Sequence, residues 1–94
     1  MYVLIPAYQP DARLPRLILE LHRADPATKI LVVDDGSGQK FSDIFEASAT
    51  AGAHVISYEN NRGKGYALRE GFTWIRDSAG NPQECVVTAD ADGQ

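Results

Sequence analysis

Short apolar runs alternate with helical stripes along this chain, and that alternation constrains its fold more than any other feature. Residues 2–5, 30–33, 54–58 and 85–88 are rich in β-branched and other apolar side chains, too brief for helices and without clean polar alternation. That is the pattern of strands buried on both faces. Between the first two runs, Leu14, Leu17, Ile18 and Leu21 recur at helical spacing behind Asp11 as a cap. Pro15 falls in the first turn, where its missing N–H is tolerated, and Asp25-Pro26 is the stop. Phe41, Ile44 and Phe45 open a second stripe that Gly52 ends. Ala67, Leu68, Gly71, Phe72 and Ile75 form a third, ended by the turn-forming residues 77–82. Strict alternation of strand and helix predicts an α/β domain with a mostly parallel sheet. Ligands then belong outside the carboxyl ends of the strands.

Composition narrows the function. Ninety-four residues, 44% hydrophobic and 23% charged, suit one globular domain. A formal net charge of -4, with nine Lys and Arg scattered singly, gives no basic footprint for nucleic acid, and none is expected as a partner. Cys85 is the sole cysteine, so no intrachain disulfide forms; beside Val86 and Val87 it reads as a small buried hydrophobe in a cytoplasmic protein. The opening "MYVLIPAYQP" lacks the basic region and long apolar core of a signal peptide, and no run approaches membrane-spanning length.

Each expected strand ends in something other than plain turn chemistry. "DADGQ" at 90–94 puts Asp90 and Asp92 one residue apart beyond a strand. Two such carboxylates offer hard oxygens to a divalent ion held also by substrate phosphates, although an isolated D-x-D is more often a polar turn. "VVDDGSG" at 32–38 runs a buried strand into two acids. Asp35, the outer one, is placed to accept a nucleobase N–H or a ribose hydroxyl; the plainer reading is a turn capped by Ser37 or Asp35. "NRGKGYALREG" at 61–71 sets glycines around Lys64 just before a helix, so backbone N–H groups and one ammonium face an anionic ligand. The plainer reading has Gly65 and Gly71 packing the helix closely on the sheet. The run is neither a Walker A sequence nor a dinucleotide fingerprint. His22 and His54 have no partner at metal-ligand spacing and read as structural or exposed. Trp74 reads as packing, whereas Tyr8 either stacks on a base or fills a corner.

Singly these motifs are weak, but their order is specific. "IPAYQP", "VVDDGS", "NRGKGYALREGF" and "TADADGQ" follow strands 1 to 4 in turn, and the set resembles the family-2 glycosyltransferases. These are inverting enzymes of the GT-A fold that transfer a sugar from a nucleotide diphosphate donor. The resemblance implies a three-layer α/β/α sandwich with a mostly parallel sheet in strand order 3-2-1-4 and a nucleotide site where that order reverses, between strands 1 and 4. The resemblance implies that Pro6, Ala7 and Tyr8 line the nucleoside pocket, that Asp35 contacts the base, and that Lys64 lies near the donor diphosphate. It implies that Asp90 holds the ribose or a metal-bound water, and that Asp92 coordinates Mg²⁺ or Mn²⁺ on a UDP- or GDP-linked donor. Within the family the chain looks most like the dolichol- and polyprenyl-phosphate sugar synthases, whose D-A-D-x-Q motif makes Gln94 a further metal ligand. Gly93 departs from that branch, which usually has a larger apolar residue there. The acceptor implied is a polyprenyl phosphate or a glycan.

In the family, the sequence after D-x-D supplies the rest of the sheet, the acceptor site and the catalytic base. We therefore expect the chain to be the donor-binding half of a catalytic domain, working in the cytoplasm or at the cytoplasmic face of a membrane. On its own it should transfer no sugar and should self-associate through the exposed edge of strand 4. Two other classes stay open. One is a noncatalytic nucleotide-sugar binding module. The other is a Rossmann-like dinucleotide enzyme, against which the absence of G-x-G-x-x-G after the first strand speaks.

Overall fold

The β-branched runs build the centre of a parallel sheet. A computed structural model describes residues 1–79 and 86–91. In chain order the elements are β1 (Tyr2–Ala7), α1 (Arg13–Ala24), β2 (Lys29–Asp35), a 3-10 turn (Gln39–Phe41), α2 (Ser42–Thr50), β3 (His54–Tyr58), α3 (Lys64–Ala79) and β4 (Val86–Thr88). The sheet runs β3-β2-β1-β4 with every pairing parallel, the expected order. Register aligns Ala7 with Asp34, and Asp35 with Tyr58, so the carboxyl ends of the first three strands finish level with one another. After β4 the Ala89 N–H still bonds to the Leu4 carbonyl at 3.1 Å, which carries the following residues along the same edge.

Alternation along the central strands divides the interior in two. Val3, Ile5, Ile30 and Val32 face Leu14 and Ile18 of α1 and Phe45 of α2. Tyr2, Leu4, Leu31 and Val33 face Ala67 and Ile75 of α3. Successive strand side chains point to opposite faces, so continuously apolar β1 and β2 need a helix on each side. Leu4, Ile5, Leu31, Val32 and Val33 are fully buried, each stabilising the fold by about 1.5–3 kcal/mol. Gly71 is part of this packing, because a Cβ there would run into the Leu4 side chain.

Several expectations change. Burial on both faces holds for β1 and β2 but not for β3, where His54 and Ser57 are exposed, nor for β4, where Val87 is exposed. Both are edge strands with one neighbour each, so fewer side chains cover them. Phe72 lies outside the buried stripe of α3, and Gly65 meets nothing within 4 Å, so close packing falls to Gly71. The third helix passes Asp77 and runs to Ala79. The α1 helix starts at Arg13 with Ala12 in the cap position; Asp11 serves the first turn by accepting the Arg13 N–H at 2.9 Å. His22 is structural, as expected: it is half-buried, with ring nitrogens 3.2 Å from the Ala51 carbonyl and 3.0 Å from that of Thr28. Trp74 packs, stacking on His54 with ring centroids 4.5 Å apart. Cys85 lies outside the described residues. Among the described residues no helix is long and apolar enough to cross a membrane.

Candidate functional site

Where the strands end, the residues nominated from sequence meet. Pro6, Ala7, Tyr8, Asp35, Lys64 and Asp90 line one crevice of about 190 Å³. They come from the ends of β1 and β2, the first turn of α3 and the segment after β4, so the crevice spans the reversal of strand order between β1 and β4. Asp92 and Gln94, the other nominated metal ligands, lie outside the described residues. Tyr8 is half exposed and lines the crevice instead of filling a corner of the core.

The two acids of "VVDDGS" have different surroundings. Asp34 accepts the Ser37 N–H at 2.9 Å, and the Ser37 hydroxyl accepts the Gln9 N–H at 2.8 Å. That bridge ties the turn after β2 to the loop after β1, where Gln9 has a φ of 49°, a conformation that costs a non-glycine residue energy and needs such support. Asp35 is almost wholly buried. Its Oδ1 accepts from the Tyr58 hydroxyl at 2.5 Å and the Arg62 N–H at 2.9 Å, and its Oδ2 from Asn61 Nδ2 at 2.8 Å and the Gly63 N–H at 2.9 Å. A carboxylate offers about four lone-pair positions, so a nucleobase N–H would have to displace one of these donors to reach it. Burial first, and the bond to Asp35 second, push the Tyr58 phenol well above the usual tyrosine range.

From the start of α3, on the same side as Asp35, Lys64 reaches across the crevice to Asp90, with Nζ 3.2 Å from Oδ1 and both side chains more than half exposed. An exposed pair of this kind is worth about 0–1 kcal/mol, so both groups can exchange partners when a ligand arrives. A second, more polar depression of about 360 Å³ adjoins the first through Tyr8 and Asp90 and is walled by Gln9, Pro10, Asp11, Arg13 and Ala91. A larger cavity, about 630 Å³, lies between α2 and β3 against Phe45, Ala49 and Val55. It is open and mainly apolar; Asp34, Glu46 and Glu59 line it, but no Lys or Arg faces them as Lys64 faces Asp90 in the strand-end crevice.

Sequence reasoning passed over the groups that shape this site. Tyr58 and Asn61 each bond to the Asp35 carboxylate that lines it. Gly36, at φ 66°, lets the backbone of Asn60 and Asn61 lie directly against it, where any Cβ would collide. The glycine after "DD" and the paired asparagines before "RGKG" were the available signals, but glycine and asparagine mark ordinary turns just as well.

The family model for glycosyl transferase family 2 matches residues 2–94. The chain belongs to that family. It is 34% identical to a polyprenol monophosphomannose synthase of Mycolicibacterium smegmatis, the match covering 97% of this chain and 34% of that protein. It is 36% identical to the human dolichyl-phosphate beta-glucosyltransferase, over 97% of this chain and 30% of that protein. Among solved structures, the mannosyltransferase PcManGT of Pyrobaculum calidifontis, in complex with GDP-Man and Mn²⁺, superposes with a TM-score of 0.69 at 25% identity, covering 97% of this chain and 27% of that one. The chain thus spans between about a quarter and a third of the length of these relatives, and its sheet is a GT-A sheet.

The described residues can be tested against a divalent ion. Asp90 presents a hard, exposed oxygen at the crevice mouth. Among the described residues no group of three or more His, Cys, Asp or Glu is placed to hold a metal. One carboxylate beside an anionic ligand suits an ion bound largely through substrate phosphates, as Mg²⁺ and Mn²⁺ commonly are.

Proposed function

We propose that this chain is the donor-binding part of a glycosyltransferase that moves a sugar from a nucleoside diphosphate, GDP- or UDP-linked, to a polyprenyl phosphate or a glycan. The observation that carries the reading is the facing of Lys64 and Asp90 across a crevice walled by Pro6, Ala7, Tyr8 and Asp35, at the strand ends of a family-2 sheet. Relatives named for polyprenol and dolichyl phosphate support the acceptor class, and the neighbour that holds GDP-Man and Mn²⁺ supports the donor class.

In this reading the nucleoside lies against Pro6 and Ala7 with the Tyr8 ring over it. Lys64 leaves Asp90 to meet the diphosphate, and the polar depression beyond Tyr8 and Asp90 receives the sugar. Asp90, with Asp92 and Gln94, holds Mg²⁺ or Mn²⁺. When bound, the ion neutralises charge on the departing nucleoside diphosphate. Lys64 contributes to the same end from the α3 side of the crevice. Calorimetric titration with GDP and UDP, in Mn²⁺, Mg²⁺ or chelator, tests this. Binding should strengthen with the cation; equal affinity in chelator would remove the metal from the reading, and no binding of either nucleotide would remove the donor.

A further inference from the structure

We infer that Asp35 is a positioning residue: it fixes the loop between β3 and α3 so that Lys64 points into the crevice. The inference rests on the donor-site reading and assigns to Asp35 a task different from contacting the base. Four hydrogen bonds between 2.5 and 2.9 Å converge on one nearly buried carboxylate, and all four donors lie within residues 58–63. Two of them, the N–H groups of Arg62 and Gly63, immediately precede Lys64, the first residue of α3. The Gly63 carbonyl in turn accepts the Ala67 N–H at 3.1 Å, so the loop that Asp35 grips is continuous with the first helical turn.

Other contacts point the same way. Asn61 Nδ2 reaches the Asp35 backbone carbonyl as well, at 3.2 Å, and the loop backbone rests on Gly36 with no room for a side chain between them. A carboxylate before the N-terminus of a sixteen-residue helix also complements its dipole. Electrostatics argues against a second role. A bare carboxylate on the wall of a diphosphate site would repel the ligand, whereas one engaged by four donors presents little of its charge to the crevice. Lys64 itself, largely exposed and tied only to exposed Asp90 among its described side-chain bonds, owes its direction to the backbone that carries it.

The experiment compares wild type, Asp35→Ala, Lys64→Ala, the double variant and Asn61→Ala. Affinities for GDP and UDP are set against those for guanosine and uridine, so that the gain due to the diphosphate is isolated. Lys64→Ala should reduce that gain about tenfold, as loss of a charge-assisted contact does. Asp35→Ala should reduce it as much, leave nucleoside affinity within about twofold, and add nothing in the double variant. Retention of the diphosphate gain in Asp35→Ala, with nucleoside binding lost, would overturn the inference in favour of a base contact. A second arm needs no ligand. Amide exchange at Arg62 and Gly63 should accelerate at least about tenfold in Asp35→Ala while Leu4 and Leu31 stay protected. The Lys64 side-chain NMR signals should respond to Asp90→Asn in the wild-type background but not with Asp35→Ala. If neither nucleotide binds wild type, the donor reading fails and this arm still decides the positioning role; unchanged exchange and an unchanged Lys64 response sink it. Should Asp35→Ala unfold, Asn61→Ala supplies the same readouts at about a two- to fivefold effect, and no effect there counts against the proposal.

Discussion

The two walls of the crevice are built differently. On the β2–β3–α3 side, Asp35 is buried under four hydrogen bonds, Gly36 touches backbone, and Tyr58 packs edge-on against Tyr66 at 5.2 Å. On the β1–β4 side, Tyr8 is half exposed and Asp90 answers only to an exposed lysine among its described side-chain bonds. One wall is preformed; the other is loose until something occupies it. In the proposed donor-binding reading that division is useful, because the firmly bonded side sets direction and the exposed side exchanges partners as donor and cation enter.

The contrast breaks most readily at Gly36. Gly36→Ala should lower stability by about 3 kcal/mol in urea denaturation, adding a backbone collision to the strain of a left-handed φ. Gly38→Ala, at φ 92° but in open space, should cost only the strain, about 1–2 kcal/mol. Equal losses at the two glycines would mean that close packing of the wall does not matter. On the open side the sensitivity should be to ligand instead. Asp90→Ala should abolish most of the Mn²⁺-dependent gain in nucleotide affinity, about tenfold, while the urea midpoint stays nearly fixed.

Tyr58→Phe should sit between these extremes, losing about 1–2 kcal/mol for a hydrogen bond to a carboxylate. It also carries a pH signature. Folding raises the Tyr58 phenol above its ordinary value of about 10, so its stabilisation is whole below about pH 10 and is lost as pH climbs from there toward the raised folded value. Wild type should therefore weaken more steeply above about pH 10 than Tyr58→Phe, as followed by alkaline denaturation with tyrosinate absorbance. The smallest effect belongs to Lys64→Ala, whose exposed ion pair should contribute less than about 0.5 kcal/mol to stability and less still in high salt. A large loss there would show that the link from Lys64 to the open wall at Asp90 is structural after all.

The sheet was legible in the sequence because Tyr2 to Ile5 of β1 and Ile30 to Val33 of β2 are apolar at successive positions, a pattern that burial on both faces satisfies. The helices followed from stripes at helical spacing, and the strand-end rule placed Pro6, Ala7, Tyr8, Asp35, Lys64 and Asp90 on one edge before any contact was known. What failed was finer. Phe72 matched the apolar stripe yet faces solvent, since periodicity fixes an angle around the helix but not how far the sheet beneath extends. β3 looked like a central strand because composition does not state which strand has a neighbour missing.

The sequence by itself determined the parallel α/β sheet and the set of polar residues at its carboxyl edge, since these depend on hydrophobic period and on connection rules that act locally along the chain; the strand order came with the family resemblance, because crossover rules fix handedness and not order. Only the tertiary structure decided what each polar residue does. Asp34 and Asp35 are adjacent and chemically identical, yet one bonds the turn at Ser37 and the other grips residues 58–63. Successive strand residues point to opposite faces, and which donors wait on each face is settled by loops distant in sequence. A carboxylate's partners are a matter of three-dimensional neighbourhood, and that is where the two acids of one motif acquire two functions.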